Sequence, residues 1–161
     1  VHYLARLLDG GADIQMIGRR LLVMASEDVG MAYPSAISIV TACVQAAQMV
    51  GMPEAVINLA QAVVLMAAAP KSNASYMALE EAMHDIKTKK IDDVPNHLKD
   101  THYKGAADLG YGGYKYPHAY GGYVKQQYLP DNLYKQGVKY YKPTENGSEA
   151  AFKKYLESLE K

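Results

Sequence analysis

Up to about residue 90 the apolar positions recur at helical spacing, and glycine and proline punctuate them. Tyr3, Leu4, Leu7 and Leu8 form a first stripe that Gly10 and Gly11 end. Asp13 stands where an N-cap is needed before "IQMIGRRLLVMAS", whose Ile14, Ile17, Leu21 and Met24 share one face. Pro34 suits the first helical position of "SAISIVTACVQAAQMV", Gly51 closes it, and Pro53 opens a fourth helix that stops before Pro70. These two helices are apolar around most of their circumference and must be enclosed. A fifth, "NASYMALEEAMHDIKTKK", takes Ser72 as its cap and Tyr76, Leu79, Met83 and Ile86 as a buried stripe. Lys87, Lys89 and Lys90 lie at its negative dipole end.

After "DDVP" the texture changes. Residues 96–147 are rich in Tyr, Gly, Pro, Asn and Lys; "KGAADLG" is a short helical possibility, while "YGGY", "YGGYV" and "YLPDN" read as turns. Fifty residues without a long element do not suggest an independent domain. They are expected to wrap over the helices, before a last helix in "SEAAFKKYLESLEK" that turns Phe152, Leu156 and Leu159 inward. The pattern therefore predicts an all-α fold, a helical bundle in one domain over 1–161. Residues 1–95 are its core, 96–147 a Tyr/Gly-rich irregular wrap and 148–161 the C-terminal helix.

Composition narrows the function classes. The 161 residues carry 17 Lys plus Arg against 17 Asp plus Glu, which argues against a strongly basic nucleic-acid domain or a polybasic membrane anchor. The balance hides an asymmetry: residues 1–95 hold 7 basic and 10 acidic side chains, and residues 96–161 hold 10 and 7. A polyanion would prefer the second part. Cys43 is the single cysteine, so no disulfide framework exists and an intracellular compartment is expected. The longest apolar run, Ala55 to Ala69, contains Asn58 and Gln61 and is shorter than the ~20 residues a bilayer requires. The chain opens on Val1 inside an apparent helix, as an excised piece of a longer protein would.

Motifs for chemistry are scarce. No phosphate-binding loop is present; "PKSN" lacks the glycines that let amides surround a phosphate and reads as a helix start. "LGYGGY" follows no strand, so it is no dinucleotide fingerprint. His97 and His102 have the spacing of half a zinc site without the other half, and read as hydrogen-bonding loop residues. His118 reads as a donor that pins loop carbonyls. In "ASEDVG", Ser26, Glu27 and Asp28 are expected to serve a turn and the next helix start, with Arg19 and Arg20 paired to carboxylates on neighbouring helices. A metal site or acid/base pair there lacks an accompanying nucleophile.

The ordered string "HYLARLLDGGAD", "GRRLLVMASEDVGMAYP", "GMPEAVINLAQAVVLMAAAPKSN", "VPNHLKD", "LGYGGYKYPHAYGGYVKQQYLP" and "YYKPTENGSE" resembles the C-terminal domain of the replication-associated recombination protein A family. These are AAA+ ATPases related to clamp loaders. The likeness implies a helical domain similar to the clamp-loader collar, which assembles the parent as a homo-tetramer acting at stalled forks in replication, recombination and repair. It implies that ATP and Mg belong to an ATPase module outside this chain, so that the chain itself is not an enzyme and has no cofactor, metal or catalytic residue. It also implies DNA and single-strand-binding protein as partners of the whole protein, no membrane partner, and a cytoplasmic, nucleoid-associated location. Tyr33 and Ala119 stand where relatives often have aspartate, so polar contacts there do not carry over.

Two surfaces follow as candidates. The helix from Pro53 to Ala69 has Val56, Leu59, Val63, Val64 and Met66 around its circumference, so that one side could serve the core and another a partner subunit; a central helix covered by its own chain gives the same pattern. The segment 99–142 is the alternative, a DNA-binding module with Lys104, Lys115, Lys125, Lys135 and Lys139 as secondary contacts. Within it, residues 109–130 hold six tyrosines but only two lysines. Rings laid against a core suit that ratio better than rings stacked on bases, because sequence-independent binding depends mainly on phosphate contacts.

Overall fold

The computed structural model describes residues 1–160, and its order of elements is all-helical. Contacts divide the chain into two compact units, one of residues 1–80 with the segment from Tyr141 onward, the other of Glu81–Tyr140. The division falls inside a helix, fifteen residues before the change in composition at residue 95.

In the first unit, α1 (His2–Asp9), α3 (Ala36–Val50) and α4 (Ala55–Ala68) stop before Gly10, Gly51 and Pro70 as expected, while α2 (Ile14–Met24) ends at its C-cap Ala25 with neither glycine nor proline. Pro34 and Pro53 do not open α3 and α4 but precede their N-caps Ser35 and Glu54. The Gly51 turn has φ +70°, a conformation that an L-residue with a Cβ adopts reluctantly. The core is the meeting of α2, α3 and α4 over Ile17, Leu21, Val40, Val44 and Leu59, with Val29 beneath them. Asp13 occupies the N-cap position of α2 but makes no side-chain cap bond. Between α2 and α3 the chain makes a wide π turn at Ala25–Val29 and then a tight turn at Gly30–Ala32.

α5 (Ala74–Thr88) begins as its sequence predicts, with the Ala74 N–H donating to Ser72 Oγ at 3.2 Å. Its expected buried stripe is not buried. Tyr76, Leu79, Met83 and Ile86 are all exposed, while Ala74 and Asp85 are buried instead. α7 (Glu149–Leu159) likewise leaves Phe152 and Leu156 exposed, and α1 leaves Tyr3 and Leu7 so. Spacing identified these faces correctly as apolar but not what covers them, since the same stripe serves a core or a partner.

The second unit is built from short elements. Tight turns at Asn96–Leu98 and Pro117–Tyr120 and α6 (Asp131–Lys135) break an otherwise irregular course. "YLPDN" thus starts a helix where a turn was expected, because Pro130 takes the N-cap place and Asp131 sits favourably in the first turn. "KGAADLG" forms successive turns and no helix. Asn132 ties α6 back: its side chain accepts from the Asp92 N–H at 3.2 Å and donates to the Lys90 carbonyl at 2.8 Å. Tyr140 donates to Asp85 at 3.1 Å, and Lys89 pairs with the same carboxylate at 2.8 Å. The Lys89 hydrogen bond, working against burial and joined by that of Tyr140, holds the Asp85 carboxyl below its usual value. Among the described residues no helix is long and apolar enough to cross a membrane.

Candidate functional site

The first unit carries a buried polar knot at its C-terminal strap. Glu149, fully buried at the start of α7, accepts from the Tyr141 hydroxyl at 2.8 Å through Oε1. Its Oε2 accepts from the Thr144 N–H at 3.0 Å and the Thr144 hydroxyl at 2.5 Å, and Ser72 adds a further side-chain bond. Burial alone would raise this carboxyl; the donors outweigh it and hold the group below its usual value. For Tyr141 burial and the bond to Glu149 act in the same direction, and the phenol is pushed up to about 12. Around the knot, Asn146 Nδ2 donates to the Lys71 carbonyl at 2.8 Å, the Ser148 N–H to Ala32 at 2.8 Å, and the Ser72 N–H to Asp28 at 2.9 Å. Gly147 is obligatory there, at φ +52° with the Ala32 carbonyl against the place of a Cβ. The strap therefore locks the loops at 28–32 and 70–73 together.

Two cavities flank the π turn. One of about 620 Å³ is bounded by Leu21, Met24, Val63 and Met66 with Asp28 and Lys71 at its polar side. The other, about 740 Å³, is lined by Leu22, Val23, Glu27 and Tyr76. Glu27 and Asp28 open on different cavities and do not converge as an acid/base pair. Arg19 and Arg20 are exposed, and neither forms the expected ion pair among the described residues.

The helix proposed from sequence as a subunit contact divides as follows. Leu59 is fully covered by its own chain, and Met66 is buried as well, so neither can reach a partner; both belong to the core. Val56 and Val63 are half-buried, and Val64 is 53% exposed. The outward stripe of α4 is Ile57, Gln61, Val64 and Ala68, in which Ile57, 67% exposed, was missed by the sequence reading. Met49, Val50 and Met52, at the α3–α4 turn, are exposed too. The signal was in the chain: between Asp28 and Lys71 the only charged residue is Glu54. A surface helical hairpin ordinarily keeps charges on its solvent side, and this one has none along either helix.

In the second unit Lys104, Lys115, Lys125, Lys135 and Lys139 are all exposed, and Lys135 lies 3.8 Å from Asp131. His97 is held by the Gln127 carbonyl at 2.7 Å and His102 by Asp100 at 2.7 Å. Among the described residues His118 pins no carbonyl; it lies against the Tyr116 ring with centroids 5.1 Å apart. The tyrosines depart most from expectation. Tyr114, Tyr116, Tyr120, Tyr123 and Tyr128 are exposed, so they are not rings laid against a core. A glycine-rich segment with turns rather than long elements has too little local apolar surface to cover them.

The chain is an all-helical domain with an uncharged hairpin and a locked strap, and comparison with known proteins assigns its family. The chain belongs to the family described as the MgsA AAA+ ATPase C terminal, whose model matches residues 1–160. It is 52% identical over 164 residues to the replication-associated recombination protein A of Bacillus subtilis, covering all of this chain and 38% of that protein. It is 50% identical to an uncharacterized AAA domain-containing protein of Mycobacterium tuberculosis, over 99% of this chain and 35% of that one. The replication-associated recombination protein A of Escherichia coli K12 is 37% identical over 92% of the chain, 34% of its own length. The chain thus spans little more than a third of these relatives.

Proposed function

We propose that this domain gathers copies of a AAA+ ATPase acting in replication-associated recombination, by self-association into a homo-tetramer through the outer face of α3 and α4. ATP, Mg and the hydrolytic chemistry then belong to the part of the parent outside this chain; forks and single-strand-binding protein are partners of the parent as a whole. The likeness to clamp-loader collars and a cytoplasmic, nucleoid-associated location are part of the same reading.

One observation carries it: Ile57 and Val64 stand in water on a hairpin with no charge along either helix. Burying the part of such side chains that is still in water gains roughly 1–2 kcal/mol each, and an uncharged face meets a second copy of itself without like-charge repulsion. The test is the mass of the chain in solution by sedimentation, repeated with Ile57→Glu and Val64→Glu. A tetramer that dissociates in these variants while helicity and a cooperative melting transition persist supports the reading. A wild-type monomer at high micromolar concentration overturns it.

A further inference from the structure

The second unit contains a lobe that the assembly reading does not use. Gln126 takes the Lys115 N–H on Oε1 at 3.1 Å and donates from Nε2 to the Lys115 carbonyl at 2.8 Å. This side-chain amide imitates a main-chain pair and closes residues 115–126 into a compact loop of the Ω type. The same Nε2 reaches the Tyr128 hydroxyl at 3.0 Å, bringing that ring to the neck. Inside the lobe a tight turn at Pro117–Tyr120 is fastened by the Gly122 N–H to the Pro117 carbonyl at 2.9 Å. Gly121 and Gly122, at φ +76° and +100°, allow the reversal that other residues resist.

A loop held this firmly would be expected to fold its aromatic rings inward. It does the reverse: Tyr116 is 61% and Tyr120 56% exposed, with Tyr114 and Tyr123 also in water. Lys115 and Lys125 stand at the neck, and Lys104 lies in the same unit; none of the three forms an ion pair among the described residues. From Leu109 to Pro130 there is no acidic residue at all. Exposed rings and unpaired cations occur together in a run that has no carboxylate, with His118 against one ring, that of Tyr116.

We infer that this lobe binds single-stranded nucleic acid, with unpaired bases stacked on Tyr116, Tyr120 and Tyr123 and phosphates held by Lys115 and Lys125. Ring faces reach bases only where these are not already stacked in a duplex, and every base offers such a face, so the binding is tolerant of sequence. Tyrosine suits a protein interface as well as a base, but interface cores are depleted in lysine, so the unpaired Lys115 and Lys125 favour the nucleic acid. The scarcity of cations does not exclude the mode; it sets its scale. Two lysines give a shallow salt dependence, a slope of about −1.4 in log affinity against log salt for a single strand. The surface is therefore a low-affinity guide whose strength depends on stacking, and several copies held together would act as a multivalent one.

The experiment is a fluorescence-anisotropy titration of labelled oligodeoxythymidine and of a blunt duplex with the full chain at low salt. Tyrosine emission is followed in parallel, which is clean because the chain has no tryptophan. Single strand is expected to bind more tightly than duplex and to quench tyrosine. Tyr116→Ala and Tyr120→Ala should each weaken it roughly tenfold. Lys115→Ala and Lys125→Ala should each reduce the salt slope by about 0.7. Circular dichroism and melting should be unchanged in all four. Absence of binding, equal affinity for strand and duplex, or tyrosine variants that bind like the parent would each overturn the inference. Sedimentation of the same samples reads assembly separately, so the two proposals fail independently.

Discussion

The hydroxyl of Tyr141 donates to Glu149 Oε1 at 2.8 Å, and this bond is one of the set that keeps a fully buried carboxylate ionised. Every neighbour of Glu149 in the knot is a donor, and a carboxylate is acceptor-only, so the match is complete. Glu149→Gln places an amide N–H₂ where a donor already points and should cost nearly as much as Glu149→Ala. Each is expected to lose about 3 kcal/mol, roughly 6–12 °C in melting temperature for a chain of this size. Tyr141→Phe keeps the ring and loses one charge-assisted bond, costing about 2 kcal/mol. Thermal melting of the three variants checks the order; a Gln variant as stable as the parent would show that the carboxylate charge is not needed.

The same pair fixes a pH dependence. Glu149 titrates below its ordinary value in the folded chain, so its contribution is complete at neutral pH. That contribution declines as pH falls below about 4.5, where the unfolded carboxyl begins to take up its proton and the folded one does not. Tyr141 is raised from 10.0 to about 12, so its contribution is complete below pH 10 and is lost as pH rises from there toward 12. Urea midpoints across pH should therefore form a plateau with two falling limbs. Tyr141→Phe should flatten chiefly the alkaline limb, with a smaller effect on the acid one because it removes a donor to Glu149, and Glu149→Ala chiefly the acid one.

Gly18 on α2 lies against Val44 on α3. A Cβ built at Gly18 would be 2.5 Å from Val44 Cγ1 and 3.2 Å from Cγ2. Alanine is the better helix former by about 1 kcal/mol, and on a free surface Gly18→Ala would stabilise. Here the overlap with a buried, β-branched side chain prevails, with overpacking costs of about 1–3 kcal/mol. The variant should be destabilised by roughly 1 kcal/mol, and adding Val44→Ala should cost less in the Gly18→Ala background than in the parent. Equal costs in a denaturant double-mutant cycle would rule out the contact as the reason for glycine.

How far the sequence could be read depends on what each signal encodes. Helices α1 to α5 were legible, with the ends of α3 and α4 and the start of α5, because Gly51, Pro70 and Ser72 act locally, each through its own backbone geometry or cap. What covers a helix face is not local. Tyr76, Leu79, Met83 and Ile86 have the same spacing whether they meet their own core or lie open, and Leu59 and Val64, five residues apart on α4, have similar side chains and opposite fates. The Glu149 knot was invisible because its donors come from two segments far apart in the sequence, and only the fold brings Ser72 to the strap of Tyr141 and Thr144. In the Tyr/Gly segment the reading went wrong on the rings, since composition reports how many are present and not whether enough apolar surface folds near them.

The contrast between Leu59 and Val64 yields the last prediction. Both sit on α4, and a glutamate at either would disrupt a purely central helix. Leu59 is enclosed by α2 and α3, so Leu59→Ala should cost about 2–5 kcal/mol by leaving a cavity, and Leu59→Glu should prevent folding by burying an unpaired charge. Val64 is half in water, so Val64→Glu leaves the monomer's core intact and should change melting by well under 1 kcal/mol of stability apart from what assembly adds. Melting temperature measured against protein concentration separates the two effects. The parent should melt higher as concentration rises, since association stabilises the folded form by mass action, and Val64→Glu should remove that dependence. A concentration dependence that survives Val64→Glu and Ile57→Glu together would place the contact on another face, with the open stripe of α5 the first to test.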